Sequence, residues 1–298
     1  MIHIDKFIYC IIKLGKIHNF YIKSYKTTNI DKLRKFHNYI KYQLIIDSCL
    51  KTNAISLLDI ACGRGGDLQK WLDKQLKLKY ILAMDNHRES IYNSIKNGNS
   101  FDGAIARFNN LKYYYNKTPF IKFIYADILD DDIKSKLNKI DSNKLYDVIS
   151  CQFALHYFCE DDIKLNNVLK LISSKLNKDG LFIGTATDGD LIKKILDNGP
   201  VDIPLLNLTK KNLTNYLFYI NTNKNTSNKT QNYFQIKGIS SEYYLFKKKL
   251  NDLALNNNLK LIKYESFYDW YQKYDKNYLT LYEMLISFLN FSFIFQKF

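Results

Sequence analysis

Between Asp31 and Leu50 apolar residues recur three or four apart. Leu33, Phe36, Ile40, Leu44 and Ile45 fall on one face, which predicts a helix. Asn29 or Asp31 is placed to cap it. The period then changes. A short apolar run, Ile55–Ile60, ends in a glycine-rich turn and passes into a predicted helix over Asp67–Lys77. Strand-like runs follow at Tyr80–Met84, Phe120–Ala126, Tyr146–Cys151 and Gly180–Thr187, with helix-like segments near Glu89–Lys96 and over Ile163–Leu176. Short apolar runs alternating with amphipathic segments predict a parallel sheet flanked by helices.

The alternation breaks over residues 199–238. Two aromatic, strand-like stretches, Asn215–Ile220 and Asn232–Lys237, flank the polar segment Asn221–Gln231, and a long hairpin with a mobile loop fits them. A helix is expected over Ser240–Asn256, then strands over Leu259–Phe267 and Ser287–Gln296. The uncharged run Met284–Phe295 is too short for a bilayer and reads as a buried strand, and Phe7–Ile12 is likewise too short, so no membrane association is expected.

Composition narrows the class. In 298 residues, 46% are hydrophobic, 11 are Gly and 3 are Pro, which excludes a disordered or collagen-like chain. The 44 basic residues exceed the 29 acidic ones, giving a formal charge of +15, yet only Arg34, Arg64, Arg88 and Arg107 are arginines. Two readings stand side by side: an anionic partner such as RNA, or A/T-rich codons, which would also explain the 31 Asn. Cysteines at 10, 49, 62, 151 and 159 show no C-x-x-C spacing, so reduced thiols are expected rather than a zinc site or a disulfide framework.

The candidate chemistry begins at Asp59-Ile-Ala-Cys-Gly-Arg-Gly-Gly-Asp67, where an acidic strand end is followed by glycines 63, 65 and 66. In open α/β sheets ligands bind at the carboxyl ends of strands, and glycine lets backbone approach them. The turn is neither G-x-G-x-x-G nor a P-loop. A carboxylate there suits a ligand with a cationic group, such as S-adenosylmethionine with its ammonium and sulfonium. A plain turn without a ligand also fits the spacing. Asp85 ends the next strand, 20 residues beyond Gly65, where ribose hydroxyls are met in Rossmann-like sheets. Asp127 ends a third strand, placed for an adenine amino group. Each acidic residue alone also reads as a helix cap.

The blocks LLDIACGRGGDLQKW and SCQFALHYFCED resemble the mRNA cap (guanine-N7) methyltransferase family, whose corresponding patterns are LDLGCGKGGDLxKW and SxQFxxHYxFE. LRKFHNYIKYQLI and SEYYLFKKKLNDLALNNNLKLIKYESFYDWY resemble two further blocks, and together these span roughly residues 29–297. The resemblance implies an α/β, Rossmann-like class I methyltransferase with a mostly parallel sheet, C-terminal antiparallel strands and helices on both faces. One domain over 1–298 is expected, with a basic N-terminal extension at 1–30 and a cap-binding insertion at 199–258 that carries the mobile loop 221–231.

The implied activity is methyl transfer from S-adenosylmethionine to guanine-N7 of a GpppN cap, leaving S-adenosylhomocysteine. Lys41, Asp59, Gly63, Asp85, Asp127 and Gln152 are the implied cofactor contacts, with Lys41 facing the methionine carboxylate. His37, Asn38, Phe153, His156, Tyr157 and Glu242 are the implied cap contacts: aromatic faces stack on guanine, and Glu242 accepts from its amino and imino groups. Guanine-N7 carries a lone pair and no proton, so no acid or base residue and no metal are implied; alignment of the reactants supplies the catalysis. Lys23, Lys26, Lys32 and Lys35 are candidates for the triphosphate, or else solvated lysines.

The chain departs from the family pattern at several positions. Arg64 stands for a frequent Lys, and His37 for the first Asn of a common pair. Thr187 stands where many cellular members carry Pro, and a C-terminal aromatic aligns with Asn290, next to Phe291. Capped RNA is the implied partner, with other capping enzymes or a stimulatory subunit beside it. No guanylyltransferase lysine motif is visible, which leaves cap addition to other chains. An intracellular site is expected: the nucleus for a cellular member, the host cytoplasm or virion for a viral one. Two other functions remain: a class I methyltransferase acting on another RNA position or a small molecule, and a non-catalytic stimulatory subunit.

Overall fold

Residues 30–93, 102–203, 205–220, 240–274 and 279–298 are described by a computed structural model of the chain. Lys23, Lys26, Cys10, the segment Phe7–Ile12, the extension 1–30 up to Asn29, the loop 221–231 and the stretch 232–237 lie outside the described residues. In chain order the elements are α1 (Asp31–Lys51), β1 (Ser56–Ile60), α2 (Leu68–Trp71), β2 (Tyr80–Asp85), α3 (Arg88–Tyr92), α4 (Ala104–Leu111), β3 (Phe120–Tyr125), α5 (Ile133–Asp141), β4 (Tyr146–Gln152), α6 (Asp162–Lys175) and β5 (Leu176–Thr187). There follow α7 (Gly189–Leu196), β6 (Val201–Ile203), β7 (Leu206–Lys210), β8 (Asn215–Ile220), β9 (Ser240–Tyr243), α8 (Lys247–Asn256), β10 (Leu259–Ser266), α9 (Phe267–Gln272), α10 (Leu281–Ser287) and β11 (Asn290–Lys297).

The chain divides into two compact units. The larger comprises 40–186, 248–264 and 292–298. Its seven-stranded sheet has the order β10-β11-β5-β4-β1-β2-β3, is mostly parallel, and carries an antiparallel strand. All five residues of β1 are buried, as a strand covered by helices on both faces must be. Leu57, Ile81, Val148, Leu181 and Ile183 of the strands pack with Leu44, Ile45, Leu68 and Trp71 in one core. The chain runs β1, β2, β3 toward one edge and then returns with β4 on the other side of β1. That reversal is the topological switch point, where ligands bind in such sheets.

The smaller unit comprises the described residues up to Tyr39 together with 187–247 and 265–291. Its antiparallel sheet, β6-β7-β8-β9, shares a core with α7, α10 and the start of α1. Leu33, Ile192, Leu206, Tyr216, Phe218 and Leu285 are buried there.

Three expected elements differ. The helix expected over Asp67–Lys77 is α2 alone, because Asp73 Oδ1 accepts the Gln75 N–H at 2.9 Å and turns the chain out of helix. The helix expected from Ser240 starts at Lys247: Ser240–Tyr243 pairs with β8 instead, and Asp190 accepts the Lys247 N–H at 2.9 Å. The run Met284–Phe295 is not one strand, since Thr280 and Glu283 form a capping box that starts α10. The four described cysteines, 49, 62, 151 and 159, are free thiols.

Candidate active site

The larger unit holds the glycine-rich turn. Ala61, Gly63 and Gly65 have φ of 58°, 52° and 69°, so every second residue of the turn is left-handed. That alternation points successive N–H groups to one side, the pattern of an anion-binding nest. A Cβ on Gly65 would lie 2.5 Å from Leu68 Cδ1, so with φ at 69° a side chain there would be strained and Leu68 would have to shift. Arg107 Nη1 donates to the Arg64 carbonyl at 2.8 Å and ties α4 to the turn.

Asp59 is 2% exposed, and its Oδ1 has no hydrogen-bond partner among the described residues. Burial pushes this carboxyl well above the usual carboxylate range, and the neighbouring Asp67 pushes the same way. A buried carboxylate with one oxygen unpartnered is a costly arrangement that a cationic or hydrogen-bond-donating ligand relieves. This donor set fits S-adenosylmethionine. Asp85 accepts the Gly63 N–H at 2.7 Å and the His87 N–H at 2.8 Å. Its carboxyl is raised by burial, against the pull of those two bonds. Asp127 accepts from Leu129 N and Asn86 Nδ2, each at 2.9 Å.

Lys41 is ion-paired with Asp67 at 2.8 Å, and so is Lys70 at 2.7 Å. Burial pushes the Asp67 carboxyl up, but the two ammonium groups outweigh it and hold the group below the usual range. Burial lowers Lys70, and Asp67 opposes that shift. Removing the shared partner leaves two cations facing each other. Asp67→Asn is expected to lower stability by about 2 kcal/mol at pH 7, less than a fully buried pair costs because Lys41 can reach water. The Asp67 carboxyl is depressed in the folded state, so its contribution is present above about pH 4 and disappears as pH falls through the folded value. Thermal melting of both proteins across pH 2–7 measures this; a gap that does not close toward low pH contradicts it.

At the end of β4, Gln152 Nε2 donates to Ser150 Oγ at 3.2 Å, and Thr185 Oγ1 donates to Gln152 Oε1 at 3.1 Å. Phe153 follows with φ 56°, a left-handed conformation that bulky residues rarely adopt. Its N–H is held by the Thr185 carbonyl at 2.8 Å. Strain of this kind persists where surroundings over-determine it, commonly at functional sites. The next turn, Leu155–Tyr157, buries His156 and sets its ring 4.3 Å from that of Tyr157. Burial pushes the His156 imidazole down to about 3, so it is neutral at physiological pH.

The smaller unit holds the remaining candidates. His37 is buried on α1, with Nε2 3.0 Å from Ser287 Oγ and its ring 5.0 Å from Phe267. Asn38 follows it, half-buried. Glu242 lies in β9, directly across from Tyr216 in β8, and is 2% exposed rather than standing at an exposed helix start. Tyr216 Oη donates to Glu242 Oε2 at 2.8 Å and lies 2.8 Å from Thr187 Oγ1. Asn290 and Phe291 are both buried, and the Asn290 amide donates to Ile286 and Ser287 carbonyls.

The expected cofactor contacts, Lys41, Asp59, Gly63, Asp85, Asp127 and Gln152, thus all belong to one unit, as do Phe153, His156 and Tyr157; His37, Asn38 and Glu242 belong to the other. Asp67, Lys70 and Arg107 around the turn, and Tyr216 beside Glu242, add to the residues that the motifs single out. Asp67 and Lys70 carried a local signal, opposite charges three apart on a helix start. Tyr216 had none, being 26 residues from Glu242. Among the described residues no group of His, Cys, Asp and Glu is arranged to hold a metal, and no helix is long and apolar enough to cross a membrane.

The fold has counterparts among solved structures. An S-adenosylmethionine-dependent methyltransferase of Clostridium acetobutylicum aligns over 97% of this chain and 99% of its own, with a TM-score of 0.51 at 16% identity. One from Mesorhizobium loti aligns over 89% of this chain and 100% of its own, at TM-score 0.50 and 12% identity. Sequence relatives are more specific. A protein of Acanthamoeba polyphaga mimivirus named "Probable mRNA-capping enzyme" is 33% identical over 181 residues, 56% of this chain and 15% of that protein. The mRNA cap guanine-N(7) methyltransferase of Caenorhabditis briggsae is 33% identical over 183 residues, 60% of this chain and 44% of that protein. The chain thus spans less than half the length of these relatives. The model of the mRNA (guanine-N(7))-methyltransferase domain matches residues 15–290, through both units that carry the candidate residues, and to that family the chain belongs.

Proposed function

We propose that this chain transfers a methyl group from S-adenosylmethionine to guanine-N7 of the GpppN cap of an mRNA. The observation that carries the reading is the set of strand ends Asp59, Asp85 and Asp127 around a left-handed glycine turn, with Asp59 Oδ1 buried and unpartnered among the described residues, in a chain of this family. When bound, the cofactor supplies an electrophilic sulfonium methyl. Asp59 and the Gly63 backbone hold its amino-acid end, Asp85 takes the ribose hydroxyls, and Asp127 accepts from the adenine amino group. Lys41, steadied by Asp67, faces the methionine carboxylate, and Gln152 closes the site at the end of β4.

Phe153, His156 and Tyr157 offer ring faces to the guanine, and Glu242 accepts from its amino and imino groups, with His37 and Asn38 contributing from α1. The N7 atom has no proton to lose, so the side chains work by alignment, a contribution on the order of 7–11 kcal/mol for well-oriented reactants. A neutral His156 agrees with this: it neither donates a proton at physiological pH nor repels a sulfonium. Capped RNA is the substrate, and other capping enzymes or a stimulatory subunit are its working partners. Incubation with S-adenosylmethionine and GpppA is expected to yield N7-methylated GpppA; absence of product, or methylation elsewhere, overturns the proposal.

Lys32 and Lys35 are exposed on the first turns of α1 and are assigned to the triphosphate and the RNA behind it. Removing one lysine–phosphate pair should lower the slope of log affinity against log salt by roughly one. Salt titrations of capped-RNA binding with Lys32→Ala and Lys35→Ala measure that slope; an unchanged slope in both removes them from the interface.

A further inference from the structure

Tyr216 is fully buried, and its ring belongs to the core of the smaller unit beside Tyr244, at 5.1 Å. Its hydroxyl does not need to be there for packing, since a phenylalanine ring fills the same volume. Yet the hydroxyl lies 2.8 Å from Glu242 Oε2 and 2.8 Å from Thr187 Oγ1. A phenol has one proton and two lone pairs, and a carboxylate only accepts. The phenolic proton therefore goes to Glu242, and the Thr187 hydroxyl donates to the phenol. With an ionised Glu242 the chain runs in one direction, from the threonine hydroxyl through the phenol to the carboxylate. Register explains the contact: Tyr216 and Glu242 are directly opposed in the β8–β9 ladder, so both side chains leave the same face.

We infer that Tyr216, itself held by Thr187, is a positioning residue that fixes the carboxylate plane of Glu242 and so sets discrimination for the guanine base. This rests on the reading of Glu242 as the guanine acceptor. A carboxylate accepts about four hydrogen bonds, more than the one from Tyr216 and the two from the amino and imino groups of the base together. A charge-assisted bond in a buried setting also stops the carboxylate from rotating about its last torsion, which is otherwise broad.

The test is steady-state methylation of GpppA and of IpppA, whose inosine lacks the exocyclic amino group, by the wild type, Tyr216→Phe, Thr187→Val, Thr187→Ser and Glu242→Gln. Tyr216→Phe is expected to raise KM for GpppA roughly tenfold while kcat and S-adenosylmethionine affinity change by less than about twofold. Preference for GpppA over IpppA should shrink by a similar factor. Thr187→Val should act in the same direction at roughly threefold, and Thr187→Ser should restore the wild-type values. Thr187→Val leaves the tyrosine ring untouched, so it carries the test if Tyr216→Phe folds poorly. An equal rise in KM for both caps would mean a purely structural role and overturns the inference, as does an unchanged KM in both the Tyr216 and Thr187→Val variants. If Glu242→Gln leaves KM and discrimination unchanged, the acceptor reading of Glu242 fails first, and that outcome is separate from the others.

Discussion

Asp59→Asn is expected to weaken S-adenosylmethionine binding by on the order of a thousandfold, about 4 kcal/mol, while leaving the ligand-free protein as stable as the wild type or more so at neutral pH. Both halves follow from one observation. The Asp59 carboxylate is buried with Oδ1 unpartnered among the described residues, and burial raises its proton affinity. Without ligand the charge is therefore a liability of the fold. With a cationic ammonium beside it, the same charge makes hydrogen bonds worth about 1.5–3 kcal/mol each.

The pH dependence has a defined sign. Below the unfolded carboxyl value, about 3.9, Asp59 is protonated in both states and costs nothing. As pH rises through that value the unfolded chain ionises, the buried group does not, and wild-type stability falls until pH passes the raised folded value. The stability gap between Asp59→Asn and wild type should therefore open above about pH 4 and then level off. At a pH below the raised folded value of Asp59, ligand binding should release a proton in the wild type and none from this position in the variant. Calorimetry in two buffers of different ionisation enthalpy and melting curves across pH test these statements. Retained affinity in the variant removes Asp59 from the cofactor site.

Most of the larger unit is legible in the sequence because its strands are buried on both faces. Ser56–Ile60 and Tyr80–Asp85 appear as short, mostly apolar runs with an acid at or next to the carboxyl end, and each boundary falls within a residue or two of expectation. The acidic ends are readable for the same reason, since a charge stands out at the close of such a run, and Asp85 and Asp127 also hold the backbone that follows them. The smaller unit is less legible. Ser240–Tyr243 has neither helical nor alternating character strong enough to decide, and only pairing with β8 makes it a strand. Likewise the apolar run from Met284 reads as a single element until the Thr280–Glu283 capping box divides it. Pairings set by register or by ion pairing across elements leave no periodic trace. Tyr216 beside Glu242, and Lys41 beside Asp67, are of this kind. The charge of +15 is similarly uninformative in total: the candidate cofactor and guanine contacts include four acidic residues and one lysine, so only a local subset of the basic residues has a stated role.

Glu242→Ala is expected to raise KM for GpppA by on the order of a hundredfold or more, with S-adenosylmethionine affinity unchanged. Two hydrogen bonds from the guanine edge to a carboxylate are at stake, each worth about 1.5–3 kcal/mol, and about 1.4 kcal/mol corresponds to a factor of ten. The effect on stability should be smaller and of the opposite origin to that at Asp59. Glu242 accepts from Tyr216 in the ligand-free protein, so its removal breaks that buried bond at a cost of about 1–3 kcal/mol. The two acidic residues are thus separable in the same pair of assays. Asp59→Asn should lose cofactor binding and keep or gain stability, whereas Glu242→Ala should keep cofactor binding and lose some stability. Isothermal titration with S-adenosylhomocysteine, cap-dependent kinetics and melting curves on the two variants resolve the pattern. A Glu242→Ala protein with wild-type KM for GpppA would sink the assignment of Glu242 to the cap, whatever its melting temperature.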